Sequence, residues 1–123
     1  MLPPSHRLRL RRDFTVATRR GRRAASSTCV VHLARPDADR PGTAPSPVRV
    51  GFVVSRSCGS AVVRNRVRRR LRHLVLARLT RLPEGSIVVV RALPPAATAG
   101  GARLDVDLAR CLDRLVAAAG SRS

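Results

Sequence analysis

The sequence is poor in aromatic and in acidic residues. Phenylalanine occurs only at positions 14 and 52, tyrosine and tryptophan are absent, and the aromatic share is 2%. Any core must therefore be built from Val, Leu and Ala. Hydrophobic residues still make up 44% of the 123 residues, which is enough to bury one core in one domain and argues against a disordered chain.

Other absences exclude whole classes of protein. No stretch reaches the ~18 apolar residues of a membrane span, and residues 1–7 lack the apolar core of a signal peptide. Cys29, Cys58 and Cys111 are widely spaced and odd in number, which favours a reducing, cytoplasmic location over a disulfide framework. Without a CxxC pair, and with isolated histidines, no metal site is predicted. No Ser/His/Asp or paired-carboxylate constellation is visible, so no catalytic residue is assigned to the protein.

What the chain has in excess is arginine. There are 25 basic residues, all of them Arg, against 7 acidic ones, and the net charge is +18. No acidic residue occurs between Asp39 and Glu84. A small domain this basic repels itself and is expected to bind a polyanion. Nucleic acid is the leading candidate, because guanidinium groups bind phosphate oxygens in pairs. An anionic membrane surface is the alternative.

Periodicity and turn residues predict one domain over residues 10–119, with short tails at 1–9 and 120–123. The predicted elements within it are a helix at 11–20, strands at 27–34, 48–55 and 86–92, helices at 62–79 and 105–119, and loops at 35–47 and 94–103. A strand, a helix and a strand in succession predict a parallel pair joined by a crossover helix.

The helix over 62–79 has two different sides, and we call it the arginine helix. At about 100° per residue, its apolar side chains fall within one arc that can pack on a sheet: Val63, Val67, Leu71, Leu74 and Val75. The opposite side carries the polar residues Asn65, Arg66, Arg68, Arg69 and Arg72, with Arg64 at the border. Coding bias can explain arginine in place of lysine, but it does not explain the absence of acidic partners. This side is therefore predicted to meet phosphate.

Two features of this region allow more than one interpretation. The amide of Asn65 can contact a base edge, a 2′-hydroxyl or a metal-bound water, or can simply be exposed. The turn over residues 57–61 can cradle a phosphate at the helix N-terminus, or can be an ordinary cap made by Ser57 or Ser60. The cap is the simpler interpretation, and the two are compatible.

These residues resemble a known family. The run Arg64-Asn65-Arg66-x-Arg68-Arg69-x-x-Arg72 follows Gly59-Ser-Ala-Val62 and the Ser55-Arg56 pair that ends a strand. This run is similar to the signature of the bacterial ribonuclease P protein component. Leu8 to Phe14, Arg49-Val50-Gly51 and Ile87 to Arg91 resemble the family's first helix, central strand and late strand. The resemblance covers roughly residues 7–117.

The resemblance implies a fold and a function. The fold is α+β, a two-layer α-β-β-β-α-β-α sandwich with a mixed sheet and a left-handed βαβ crossover, against the general right-handed rule. The function is that of the RNA-binding subunit of an endonuclease that removes 5′ leaders from precursor tRNA. Its partners are the catalytic RNA, which holds the Mg²⁺ ions, and precursor tRNA. No membrane and no obligate protein partner are expected.

The resemblance also implies two binding surfaces. The catalytic RNA meets the arginine helix and the turn before it, through Arg56, Arg64, Asn65, Arg66, Arg68, Arg69 and Arg72. The single-stranded leader lies in a cleft between the sheet and the first helix, at Arg11, Arg12, Phe14, His32 and Phe52. Plain core is the preferred interpretation of Phe52, and His32 can also be an ordinary strand residue.

The chain departs from the family at two positions. Thr18 and His32 stand where aromatic residues are often found, so leader binding is expected to depend more on charge than on stacking. The alternative function is a structural, ribosomal-type RNA-binding protein without a catalytic partner. An amphipathic membrane binder is a third class, but the arginine helix lacks the bulky apolar face that such helices use.

Overall fold

The computed structural model describes residues 21–34, 47–83 and 85–120. These ranges contain β1 (Arg22–Ala25), β2 (Cys29–Ala34), β3 (Arg49–Val54), α1 (Ala61–Leu76), β4 (Ile87–Ala92) and α2 (Gly101–Gly120). Single 3-10 turns lie at Arg56–Cys58, Leu79–Arg81 and Pro94–Ala97. The predicted helix at 11–20 and all but the last residue of the predicted loop at 35–47 lie outside the described residues.

The strands form one mixed sheet in the order β1-β2-β4-β3. β1 and β4 each pair with β2 in antiparallel fashion. β3 and β4 are parallel, with Arg49 opposite Ile87 and Val54 opposite Ala92. The parallel pair predicted on either side of the arginine helix is therefore confirmed, and so is the α+β class with a mixed sheet. The left-handed crossover stays a prediction.

The residue pattern did not predict β1. Its sequence, Arg-Arg-Ala-Ala, has none of the β-branched or aromatic residues that mark a strand. It forms because β2 offers a pairing edge, with Arg22 opposite Leu33 and Ala25 opposite Val30. The order implied by the resemblance, with three strands before the arginine helix, agrees with this.

The core lies between one face of the sheet and the two helices. β2 contributes Cys29, Val31 and Leu33, all buried. α1 buries the apolar stripe that its periodicity predicted: Val67, Leu71 and Val75 are at most 1% exposed, while Val63 and Leu74 are half-buried against the core. At about 1.5–3 kcal/mol for each fully buried aliphatic side chain, this stripe suffices to hold α1 on the sheet.

The last helix begins earlier than predicted. The interpretation of 94–103 as a loop was wrong at its end, because α2 starts at Gly101 rather than at residue 105. The two glycines before Ala102 disfavour a helix locally. Burial of Leu104, which is 0% exposed, outweighs that preference. The helix packs on the core through Leu108, Leu112 and Leu115, all at most 3% exposed.

A buried carboxylate fixes α2 to the β1–β2 turn. Asp107, only 3% exposed, accepts hydrogen bonds from Thr28 Oγ1 at 2.6 Å, Ser27 Oγ at 3.3 Å and Arg103 Nε at 3.3 Å. The Thr28 hydrogen bond lowers the pKa of Asp107 most, against the opposing effect of burial. Asp107 thus makes a tertiary contact between α2 and the turn that joins β1 to β2.

No helix among the described residues is both long enough and apolar enough to cross a membrane.

Candidate nucleic-acid interface

α1 presents the predicted polar residues on the side away from the core. Four members of the predicted RNA-binding set on this helix are exposed: Asn65, Arg66, Arg69 and Arg72. Arg64 and Arg68 are half-buried at the borders of that surface. Val67 and Leu71 anchor the opposite side. The guanidinium groups are therefore held on a helix whose orientation is fixed by packing.

Among the described residues, these arginines have no acidic partners. The ion pairs there join Arg78 to Asp105 and Arg103 to Asp107, and neither involves an arginine of α1. Like charges three or four residues apart on a helix cost a few tenths of a kcal/mol each when solvated. An external anion would relieve that repulsion, which gives α1 a physical reason to bind phosphate.

The structure gives Asn65 a definite contact. Its Oδ1 accepts a hydrogen bond from Arg68 Nη1 at 3.1 Å. The side-chain carbonyl thereby restrains one guanidinium, while the amide N–H groups of the exposed Asn65 remain able to donate to a ligand. Asn65 is thus exposed and is also hydrogen-bonded to Arg68. The contact with RNA stays a prediction.

The turn before α1 contains the predicted cap. Ser60 lies at the N-cap, and its Oγ accepts a hydrogen bond from the Val63 N–H at 3.3 Å. Gly59 has φ = 132°, and a Cβ there would lie 3.2 Å from the Val63 side chain. The glycine therefore permits the close approach of turn and helix. Phosphate binding by this turn stays a prediction.

Arg56 and Arg64 complete the set at the N-terminal end of the helix. Arg56 is exposed in the 3-10 turn that precedes α1. The Nε of Arg64 is buried and makes no hydrogen bond within the structure as described. The structure thus brings all seven predicted RNA-binding residues together, along α1 and in the turn at its start.

The other face of the sheet carries a second basic group around His32. β1 places Arg23 directly opposite His32, and Arg91 lies on β4, opposite the neighbouring Val30. Burial is the largest cause that lowers the pKa of His32, and the positive charges of Arg23 and Arg91 lower it further. The imidazole, 8% exposed, is therefore neutral at pH 7, and its Nδ1 has no hydrogen-bond partner among the described residues.

The predicted leader-binding residues are not all brought together. Phe52 faces the helices and packs against the main core, as its preferred interpretation held, so it lies on the sheet face opposite His32. Arg11, Arg12 and Phe14 lie outside the described residues. Arg23 and Arg91, which flank His32, were not in the predicted set. Strand alternation alone did not reveal them, because their meeting depends on the pairing register of three strands.

Comparison with known proteins places the chain among proteins of one family. The family model described as Ribonuclease P matches residues 2–116. The chain is 56% identical over 118 residues to the ribonuclease P protein component of Streptomyces bikiniensis, covering 94% of this chain and 96% of that protein. It is 47% identical over 116 residues to the protein of the same name from Corynebacterium diphtheriae, covering 94% and 97%.

Solved structures show the same fold. The RNase P protein of Staphylococcus aureus aligns with a TM-score of 0.75 at 22% identity, over 88% of this chain and 93% of that one. The RNase P protein of Thermotoga maritima aligns with a TM-score of 0.67 at 27% identity, over 89% and 94%.

Proposed function

The chain belongs to the bacterial ribonuclease P protein family, and we propose that it binds the catalytic RNA of that enzyme through α1 and the 5′ leader of precursor tRNA through the opposite sheet face. Family membership makes it a component of a tRNA-processing ribonuclease that works with the ribonuclease P RNA. The proposal adds which surface meets which RNA.

The observation that carries the proposal is the guanidinium surface of α1, which has no acidic partner among the described residues. Six arginines follow one another within 16 residues, with no acidic residue in the helix. Packing of Val67, Leu71 and Val75 fixes the direction in which they point. A structured RNA offers phosphates at regular spacing, and each Arg–phosphate contact releases a counterion.

The leader is proposed to lie on the sheet face around His32. Arg23 and Arg91 are exposed beside it and can bind phosphates, while the imidazole, only 8% exposed, forms part of the surface beneath them. Phe14, which the resemblance assigns to this cleft, is expected to add a stacking surface. This division keeps substrate contact apart from assembly.

Catalysis is proposed to reside in the RNA. Mg²⁺ held by the RNA would activate water and stabilise the leaving oxygen. Among the described residues, no three His, Cys, Asp or Glu side chains are grouped as a metal site would require. The protein's own part is to bind both RNAs and to bring the leader to the catalytic RNA.

One assay tests the proposal directly. The purified chain, added to the matching ribonuclease P RNA, should restore cleavage of precursor tRNA at low Mg²⁺. A structural, ribosomal-type RNA-binding protein would give no stimulation, and that result would contradict the proposal.

The two surfaces can be separated by substitution. Phe14→Ala should weaken binding of precursor tRNA with a leader while leaving assembly with the catalytic RNA intact. Mature tRNA, which lacks the leader, is the control substrate. Equal loss of assembly and leader binding would show that Phe14 is structural instead.

A further inference from the structure

α1 carries basic residues beyond the family motif, on the flank that faces α2. Arg70 and His73 were not in the predicted RNA-binding set, yet both are exposed and, together with Arg69, line a groove between the two helices. None of the three has a hydrogen-bond or ion-pair partner within the described ranges. Two guanidinium groups and an imidazole are therefore available on one wall of the groove.

The floor and the far end of the groove have a different chemistry. Leu74 is half-buried against the core, and Gly101 and Ala102 of α2 expose no polar side chain. Asp105 lies at the far end, where Arg78 Nη2 approaches its Oδ1 to 2.6 Å as an ion pair without hydrogen-bond geometry. Arg78 also donates to Leu74 O at 3.1 Å, which holds this end in place.

The size of the groove suits a small ligand. Its volume is about 520 Å³, within the ~300–1,000 Å³ of small-molecule sites. A single nucleotide offers groups that match this lining: a phosphate for the arginines, an apolar base surface for Leu74 and Ala102, and base-edge donors for Asp105. An acidic peptide fits less well, because its carboxylate side chains offer no donor to Asp105.

We propose that this groove binds one unpaired nucleotide of the RNA that α1 contacts. The phosphate pairs with Arg69 and Arg70, the base lies over Leu74 and Ala102, and the Asp105 carboxylate accepts a hydrogen bond from a base amino group. The proposal rests on the proposed function, since it assumes that α1 faces RNA. A base that is paired within a helix cannot reach Leu74 and Ala102, so the bound nucleotide must be unpaired and unstacked from its neighbours.

Gly101→Leu tests the groove without touching its charges. A Cβ at Gly101 meets no atom within 4 Å, so a side chain there starts in open space and its outer atoms compete with a ligand for the groove. Gly100→Leu is the matched control, because Gly100 is equally open but does not line the groove. Circular dichroism and the unfolding temperature of each full-length variant confirm that α2 is intact.

The readouts are the affinity for the cognate ribonuclease P RNA and chemical probing of that RNA in the complex. Gly101→Leu should weaken assembly about tenfold, the loss expected from charge-assisted hydrogen bonds. It should also expose one unpaired nucleotide that the wild-type chain protects, and Gly100→Leu should do neither. Arg70→Ala, which leaves the backbone of α2 unchanged, should expose the same nucleotide. Wild-type affinity and protection in both groove variants would overturn the proposal.

A second experiment tests whether the groove binds a nucleotide of the RNA or a free nucleotide. Nucleoside 5′-monophosphates and, as a control, inorganic phosphate are titrated into the full-length chain while the amide signals of Gly101 and Ala102 are followed by NMR. If monophosphates shift these signals but Gly101→Leu leaves the RNA probing unchanged, the RNA source is overturned. If the wild-type chain stimulates cleavage and the groove variants assemble normally, the groove proposal fails alone and the proposed function stands.

Discussion

α1 and α2 cover the same face of the sheet, but their charges are arranged in opposite ways. α1 has six arginines and no acidic residue, whereas α2 has three arginines and three aspartates. Asp105 and Asp107 of α2 both pair with arginines of this chain. Two of the three aspartates of α2 are thus paired within the fold, whereas no arginine of α1 has an acidic partner among the described residues.

This difference distinguishes charges that stabilise the fold from charges that bind an external ligand. A buried carboxylate with three donors, such as Asp107, contributes to the folded state because removing it leaves the buried Thr28 hydroxyl without its acceptor. An exposed arginine that has no partner in the described part of the chain, such as Arg66, contributes little to folding but can bind an external anion. Loss of charge on α2 should therefore affect stability, and loss of charge on α1 should affect binding.

The largest expected effect is on stability and comes from α2. Asp107→Ala should lower the free energy of unfolding by about 2–3 kcal/mol, because it leaves the buried Thr28 hydroxyl unpaired. Denaturant unfolding of the full chain measures this. Asp113→Ala, an exposed aspartate on the same helix, is the control and should change stability by less than about 0.5 kcal/mol. Equal losses of unfolding free energy in the two variants would show that stability depends on net charge and not on the buried hydrogen bonds of Asp107.

The next effect is on binding and comes from α1. Arg68→Ala should weaken assembly with the catalytic RNA about tenfold, or ~1.4 kcal/mol, and should lower the slope of log K against log salt by about one. Arg66→Ala should act in the same direction. Stability should change little, because Arg68 is half-buried and its hydrogen-bond partner, Asn65, is exposed. A salt slope equal to that of the wild type would argue against a phosphate contact.

The smallest expected effect is the pH dependence of the Asp107 network. Because the folded state lowers the pKa of Asp107 below 3.8, its ionisation stabilises the fold above that pH, and this contribution is lost as pH falls through the folded pKa. Asp107→Asn removes this titration. The difference in unfolding free energy between wild type and variant should stay constant at neutral pH and narrow below pH 3.8. A difference that stays unchanged under acid would show that Asp107 does not titrate with folding.

Local pattern predicted the parts of the fold that depend on one element at a time. The helical spacing of Val67, Leu71 and Val75 predicted the buried side of α1. The arginines of α1 were found for the same reason, because the exposed side of a helix follows once the buried side is known.

The parts that were missed depend on pairing between distant segments. β1 forms on the edge of β2 in spite of its own composition, and α2 starts at Gly101 because Leu104 is buried. The meeting of Arg23 and Arg91 around His32 depends on strand register, which no single strand encodes. The groove lined by Arg70 and His73 exists only because α2 packs beside α1.

Two double variants of equal net charge test whether α1 is the surface that binds the catalytic RNA. Arg66→Gln with Arg72→Gln removes two exposed charges from α1, and Arg110→Gln with Arg114→Gln removes two from α2. The salt dependence of assembly with the catalytic RNA is then measured for both. If α1 is the RNA-binding surface, the slope should fall by about two for the α1 variant and stay near the wild-type value for the α2 variant. An equal fall in both would mean that the RNA responds only to total charge, and would contradict the account.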